Sequence, residues 1–149
     1  MGQGCSKSSY FHDISQVQFT DKQRQAIEKQ TQTEPVMVYS KQYCPHCSAA
    51  KELLKKNGVK GVKVREINKE EDGLETQAIL YHITKQRTVP NIFIAGKHIG
   101  GNSELQRLAR SGELKKMLDL HQIPHNIQKK SNQSRSNWTT DVGGAAIVL

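Results

Sequence analysis

The chain reads as an α/β domain built on a four-stranded mixed sheet flanked by helices on both faces. Three observations predict this. Apolar residues switch between strand and helix periods in the order helix, strand, helix, strand, helix, hairpin, helix. The first two strands are joined through a helix, and a crossover of that length makes them parallel. The last two are joined by a two-residue glycine turn, which makes them antiparallel.

Each element has its own signal. Met1 to Gln18 is polar and rich in Gly and Ser, which predicts a disordered arm. Thr20 or Asp21 caps a short helix to about Gln32, with Phe19, Ala26 and Ile27 as apolar contacts. Val36-Met37-Val38-Tyr39 is a continuous apolar run and predicts a buried strand. From Pro45 the spacing turns helical through Ala50, Leu53 and Leu54, and Asn57-Gly58 closes the helix. Val62 to Ile67 alternates and predicts the second strand. The polar turn from Asn68 to Gly73 leads into a helix running to about His82. Asn91 to Ile94 and His98-Ile99 form the hairpin around a predicted turn at Gly96-Lys97. Gly100-Gly101 breaks the strand. Asn102 or Ser103 caps the next helix, and Ser103 with Gln106 fits a capping box. Leu105, Leu108, Leu114, Met117 and Leu118 mark one or two terminal helices, with a break near Ser111-Gly112. Residues 121–149 are rich in Asn, Ser, Gln and Thr and are expected to be a disordered tail.

Composition narrows the function. A chain of 149 residues suffices for one domain with a moderate core. Three cysteines make no disulfide framework, which points to a reducing compartment. No run reaches the length of a membrane span, and the expectation is that the N-terminus carries neither a secretory h-region nor a transit peptide. Net charge is +8, and residues 21–120 hold 18 basic against 12 acidic side chains, so most of the excess lies in the folded part. That charge attracts anionic substrates or a membrane surface. Without an aromatic-interleaved basic stripe, nucleic acid is not expected as a partner.

The chemistry centres on Cys44-Pro45-His46-Cys47, at the point where the first strand runs into a helix. Proline suits a first helical turn because its missing N–H needs no partner there. Cys44 therefore falls at a helix N-terminus, where free N–H groups and the positive dipole end favour a thiolate. Cys47 lies one turn further in, near enough to attack a disulfide formed at Cys44. A structural zinc site would want four ligands, and the only other cysteine is Cys5 in the polar arm, so no metal is expected. Redox work is the reading these residues support. His46, beside Cys44 in the first turn, is a candidate for stabilising its thiolate.

Lys41-x-x-Cys44-Pro45-x-Cys47, Thr88-Val89-Pro90 and Gly100-Gly101, at these separations, resemble a dithiol glutaredoxin of the thioredoxin superfamily. The match covers residues 20–120 and leaves 1–19 and 121–149 as tails. The resemblance implies the thioredoxin fold, glutathione as cosubstrate, glutathionylated or disulfide-bonded client proteins, and a cis peptide before Pro90. It places Lys41 at the glycine carboxylate of glutathione, with Gln77 and Arg87 in support. The backbone of Val89 would meet the cysteinyl part like an added strand. Gly101, Asn102 and Ser103 would hold the γ-glutamyl carboxylate at a helix N-terminus. Tyr43, Thr88 and Pro90 complete the implied glutathione set, and in the family an aspartate near Ser103 or Glu104 often meets the ammonium. The family usually carries tyrosine where His46 stands. Cys-Pro-His-Cys also occurs in the strongly oxidising periplasmic oxidase of the superfamily, which makes an oxidase the runner-up. Pro45 disfavours a cluster-binding module, since such relatives carry serine or glycine there. A scaffold that binds partners through its tails, ending in Ile147-Val148-Leu149, is a third reading. A monomer is expected.

The N-terminus adds a separate signal. Met1-Gly2-Gln3-Gly4-Cys5-Ser6 matches the N-myristoylation pattern, with glycine after the initiator and serine at position 6. One myristoyl chain binds membranes only marginally, and a palmitoyl group on Cys5 would supply the second signal. The expectation is a cytoplasmic protein held at the membrane periphery through Gly2 and Cys5.

Overall fold

The computed structural model describes residues 13–128. Gly2, Cys5 and the sequence beyond 128 lie outside the described residues. Among the described residues, no helix is long and apolar enough to cross a membrane.

The strands are β1 (Val36–Ser40), β2 (Val62–Glu66), β3 (Asn91–Ile94) and β4 (Lys97–Gly100), in the spatial order β2-β1-β3-β4. β1 pairs parallel with β2 and antiparallel with β3, and β3 pairs antiparallel with β4. Five helices surround them: α1 (Asp21–Thr33), α2 (Pro45–Lys56), α3 (Gly73–Thr84), α4 (Asn102–Ser111) and α5 (Glu113–Leu120). The mixed sheet and its parallel and antiparallel halves are those the sequence predicts.

Alternation in β1 builds the two cores, because successive side chains point to opposite faces. Val36 and Val38 pack with Ala50, Leu54, Leu105, Leu114 and Leu118 on the side of α2, α4 and α5. Met37 and Tyr39 pack with Ile27, Ile79, Leu80 and Phe93 on the side of α1 and α3. β1 is wholly buried, which is why its sequence is a continuous apolar run rather than an alternating one.

Four details differ from the sequence reading. The hairpin turn is Ala95-Gly96, one residue earlier than predicted, with φ of 50° and 80°. A tight hairpin wants left-handed backbone at both central residues, and the Ile94–Lys97 pairing sets that register. The cap of α4 is Gly101, neither Asn102 nor Ser103, and the Glu104 carboxylate accepts the Gly101 N–H at 2.8 Å in place of a Ser103–Gln106 box. A carboxylate at the first turn also answers the helix dipole, which a glutamine does not.

The folded chain is also longer at both ends than residues 20–120. Residues 14–16 form a short 3-10 turn that buries Ile14. At the other end Ile123 is buried, Lys60 N–H donates to the Pro124 carbonyl at 2.9 Å, and Asn126 N–H donates to the Asn57 carbonyl at 2.7 Å. Gly73 opens α3 against the Ile67 carbonyl, where a Cβ would stand 1.9 Å from that oxygen, so no larger residue fits this approach.

Candidate active site

The loop from β1 to α2 turns through Tyr43, whose φ is 60°. Gln42 N–H donates to the Asn68 side chain at 2.9 Å and anchors the loop to the end of β2. Cys44 is then the N-cap of α2, with Pro45 at the first helical position. Its sulfur accepts the Cys47 N–H at 3.3 Å, so a thiolate there takes up one of the helix's otherwise unpaired donors. Cys44 is half-buried, Cys47 is fully buried, and both are free thiols. Burial pushes the Cys47 thiol up from its ordinary range, and its contact with Cys44 pushes it the same way.

Opposite Cys44 lies the segment before β3. Val89-Pro90 is a cis peptide, and the Val89 carbonyl sits 3.9 Å from the Cys44 sulfur. Two glutamines hold this segment. Gln86 Nε2 donates to the carbonyls of Thr88 and Pro90, both at 2.9 Å, and Gln77 Nε2 donates to the Arg87 carbonyl at 2.8 Å.

Two hollows lie among the surrounding segments, and neither is lined by Cys44 or Cys47. One, of about 420 Å³, is lined by His46, Thr88, Val89, Pro90 and Gly101–Glu104, with Gln86 at its wall. The other, of about 310 Å³, is lined by Lys41, Asn68, Glu70, Glu71, Leu74 and Gln77. A larger hollow of about 780 Å³ lies between α2 and α4, around Glu52, Lys56 and Gln106, and includes neither cysteine. Among the described residues, no group of three or more His, Cys, Asp or Glu is placed to hold a metal ion.

Comparison with known proteins points to glutaredoxins. The glutaredoxin family model matches residues 36–99. Glutaredoxin-2 of Schizosaccharomyces pombe is 47% identical over 92 residues, covering 62% of this chain and 83% of that protein. Glutaredoxin-1 of Saccharomyces cerevisiae is 49% identical over 87 residues, covering 56% and 79%. This chain belongs to the glutaredoxin family. The fold agrees: the crystal structure of a buckwheat glutaredoxin–glutathione complex superposes with a TM-score of 0.61 at 38% identity, over 68% of this chain and 94% of that one. Glutaredoxins use glutathione as cosubstrate, and this one is a glutathione-dependent thiol oxidoreductase of thioredoxin fold.

Within this glutaredoxin the structure gathers most of the residues singled out from sequence. His46, Thr88, Val89, Pro90, Gly101, Asn102 and Ser103 share one hollow, and Lys41 and Gln77 share the other. Two stand apart. Tyr43 is 97% exposed and lines neither hollow. The Arg87 guanidinium stacks 4.5 Å above the Tyr81 ring and pairs with Asp13 at 3.3 Å, outside the lining of both. Sequence reasoning missed Gln86, whose clamp on the cis segment has no spacing signal. It also missed Asn68, which acts only through a contact across 26 residues.

Proposed function

We propose that this glutaredoxin reduces protein–glutathione mixed disulfides through Cys44, and protein disulfides through Cys44 and Cys47 together. The observation that carries this reading is the Cys44 sulfur capping α2, with its face open toward the Val89 backbone and buried Cys47 behind it. Glutathione would lie along Val89 and pair with its backbone as an added strand does. Its γ-glutamyl carboxylate would meet the free N–H groups at the start of α4, in the hollow of Gly101, Asn102 and Ser103. Its glycine carboxylate would face Lys41 and Gln77, with Arg87 nearby.

The Cys44 thiolate attacks the glutathione sulfur of the mixed disulfide, and the client leaves as a thiolate. A second glutathione then attacks the adduct and departs as glutathione disulfide. In the other branch Cys47 displaces glutathione and closes a Cys44–Cys47 disulfide. In a coupled assay on a glutathione mixed disulfide, Cys44→Ser abolishes turnover. Cys47→Ser keeps it but loses the reduction of protein disulfides that needs two thiols. Equal loss of deglutathionylation in both variants contradicts the assignment.

The same proposal includes a tether. Gly2 carries the myristoylation pattern and Cys5 is the site for a second acyl chain, so the enzyme works as a monomer at the cytoplasmic face of a membrane, reaching clients through its N-terminal arm. Fractionation from the native cell type tests it. Membrane association is lost fully in Gly2→Ala and partly in Cys5→Ser. A wild type found wholly in the soluble fraction overturns the tether.

A further inference from the structure

The end of α2 far from Cys44 carries a concentration of positive charge that the thiol chemistry leaves unused. Between Glu52 and Glu66 the chain has Lys55, Lys56, Lys60, Lys63 and Arg65 and no acidic residue. Arg65 is taken up by Glu70 and Asp72. The four lysines are exposed, and none is in an ion pair among the described residues. Local effects account for part of the set. Lys55 and Lys56 answer the negative end of the α2 dipole. Lys63 guards β2, which is an edge strand. Neither effect accounts for Lys60, in the loop between them, or for what is anchored beside it.

The root of the C-terminal tail is tied to the same place. Lys60 N–H donates to the Pro124 carbonyl at 2.9 Å, and Asn126 N–H donates to the Asn57 carbonyl at 2.7 Å. His125 pins the segment, with its side chain only 8% exposed. Its Nδ1 accepts the Ile127 N–H at 3.0 Å, so Nε2 carries the proton toward Asp119 Oδ1 at 2.7 Å. Lys129-Lys130 follow in sequence, the first of them three residues after Asn126. Two basic runs far apart in the chain are thereby anchored to one end of the fold. Against them stand Glu52, which lines a hollow with Lys55 and Lys56, and Glu34, which lines another with Lys60. Asp119 is answered by Lys115 and His125.

We propose that this basic end is a docking surface for anionic lipid headgroups, resting on and supplementing the proposed anchoring through Gly2. One myristoyl chain holds a protein only marginally, and a basic surface is one of the supplements that make the hold stable. Each lysine near an anionic leaflet adds about fivefold to binding. Nucleic acid fits these lysines less well, since no Phe, Tyr or Trp occurs between Tyr43 and Tyr81 to stack on bases. The surface also sets an orientation. Cys44 caps one end of α2 and Lys55 and Lys56 close the other, about 18 Å away along its 12 residues. A membrane under the lysines leaves Cys44 facing away from the bilayer, toward soluble clients. The eleven residues from Gly2 to Asp13 reach at most about 40 Å, which spans that distance.

The test is cosedimentation of the full chain, myristoylated or as Gly2→Ala, with vesicles of phosphatidylcholine, alone or mixed with phosphatidylserine. The gain from phosphatidylserine reads the lysines, and the gain from myristoylation on neutral vesicles reads the tether. Phosphatidylserine is expected to raise binding of both forms by about 100-fold or more, and added salt to remove most of that gain. Replacing Lys55, Lys56, Lys60 and Lys63 together by Gln cuts the gain at least about 20-fold. The same replacement at four exposed lysines elsewhere, Lys22, Lys29, Lys69 and Lys85, cuts it by less than about threefold, which separates this surface from net charge. Vesicle-bound wild type keeps its turnover of a soluble glutathionylated substrate, and a loss overturns the orientation. Absence of any phosphatidylserine gain overturns the docking surface, as does an equal loss in the two quadruple variants. Binding of a single-stranded RNA through the same lysines, with the vesicles ignored, overturns it too. Should myristoylation add nothing on neutral vesicles while phosphatidylserine still raises binding, the tether fails and the lysines alone hold the membrane.

Discussion

Cys44 and Cys47 lie on one turn of α2 and in unlike surroundings. Cys44 ends the β1–α2 loop, half-exposed, with a backbone N–H directed at its sulfur and the Val89 carbonyl across from it. Cys47 is fully buried, and burial drives its thiol upward. A CxxC pair is symmetric as a string of letters. The helix N-terminus makes it asymmetric, because only the first cysteine reaches the unpaired N–H groups and the second is carried one turn into the core. One sulfur is thereby suited to meet an outside disulfide, and the other to wait for the adduct formed beside it.

The sharpest way to break this contrast is alkylation of the reduced protein. At neutral pH a neutral thiol reagent is expected to modify Cys44 on the order of 100-fold faster than Cys47, read by peptide mass mapping. The Cys47 thiol titrates above its ordinary 9.0, so its labelling rises only at more alkaline pH than a free cysteine's. Equal rates would erase the distinction. A middle-sized effect is expected from the clamp opposite Cys44. Gln86→Ala frees the Thr88 and Pro90 carbonyls and loosens the Val89 backbone. The expected outcome is a KM for the glutathionylated substrate raised about fivefold, with kcat nearly kept, as lost binding alone would give. The smallest effect belongs to the Asp13–Arg87 pair, which is exposed on both sides and worth little by itself. Asp13→Asn leaves Arg87 free for a substrate carboxylate and lowers KM by no more than about twofold. A change in kcat from that variant would mean the pair reaches the sulfur chemistry.

Much of this arrangement is legible in the sequence where one short segment contains both cause and effect. Pro45 after Cys44 announces a helix start, and the apolar run of β1 announces a buried strand. The readings that fail depend on what a residue meets at a distance. Ser103 and Glu104 both sit where a cap partner could, and the Gly101 N–H decides between them in favour of the carboxylate. Ile123 looks like part of a polar tail until its neighbours bond to Asn57 at the end of α2 and to Lys60 ahead of β2. Asp13 meets Arg87 across 74 residues. Ser40 and Glu66 become neighbours only through the β1–β2 register, which no local pattern in either strand specifies.

Cys44 receives glutathione on this mechanism and Cys47 does not. Intact-mass measurement after mixing reduced protein with glutathione disulfide tests it directly, in a Cys5→Ser background so that the arm adds no thiol. The Cys47→Ser variant is expected to gain one glutathione rapidly, and the Cys44→Ser variant to stay unmodified over the same time. Uptake by Cys44→Ser at a comparable rate would place the nucleophile at Cys47 and contradict the account.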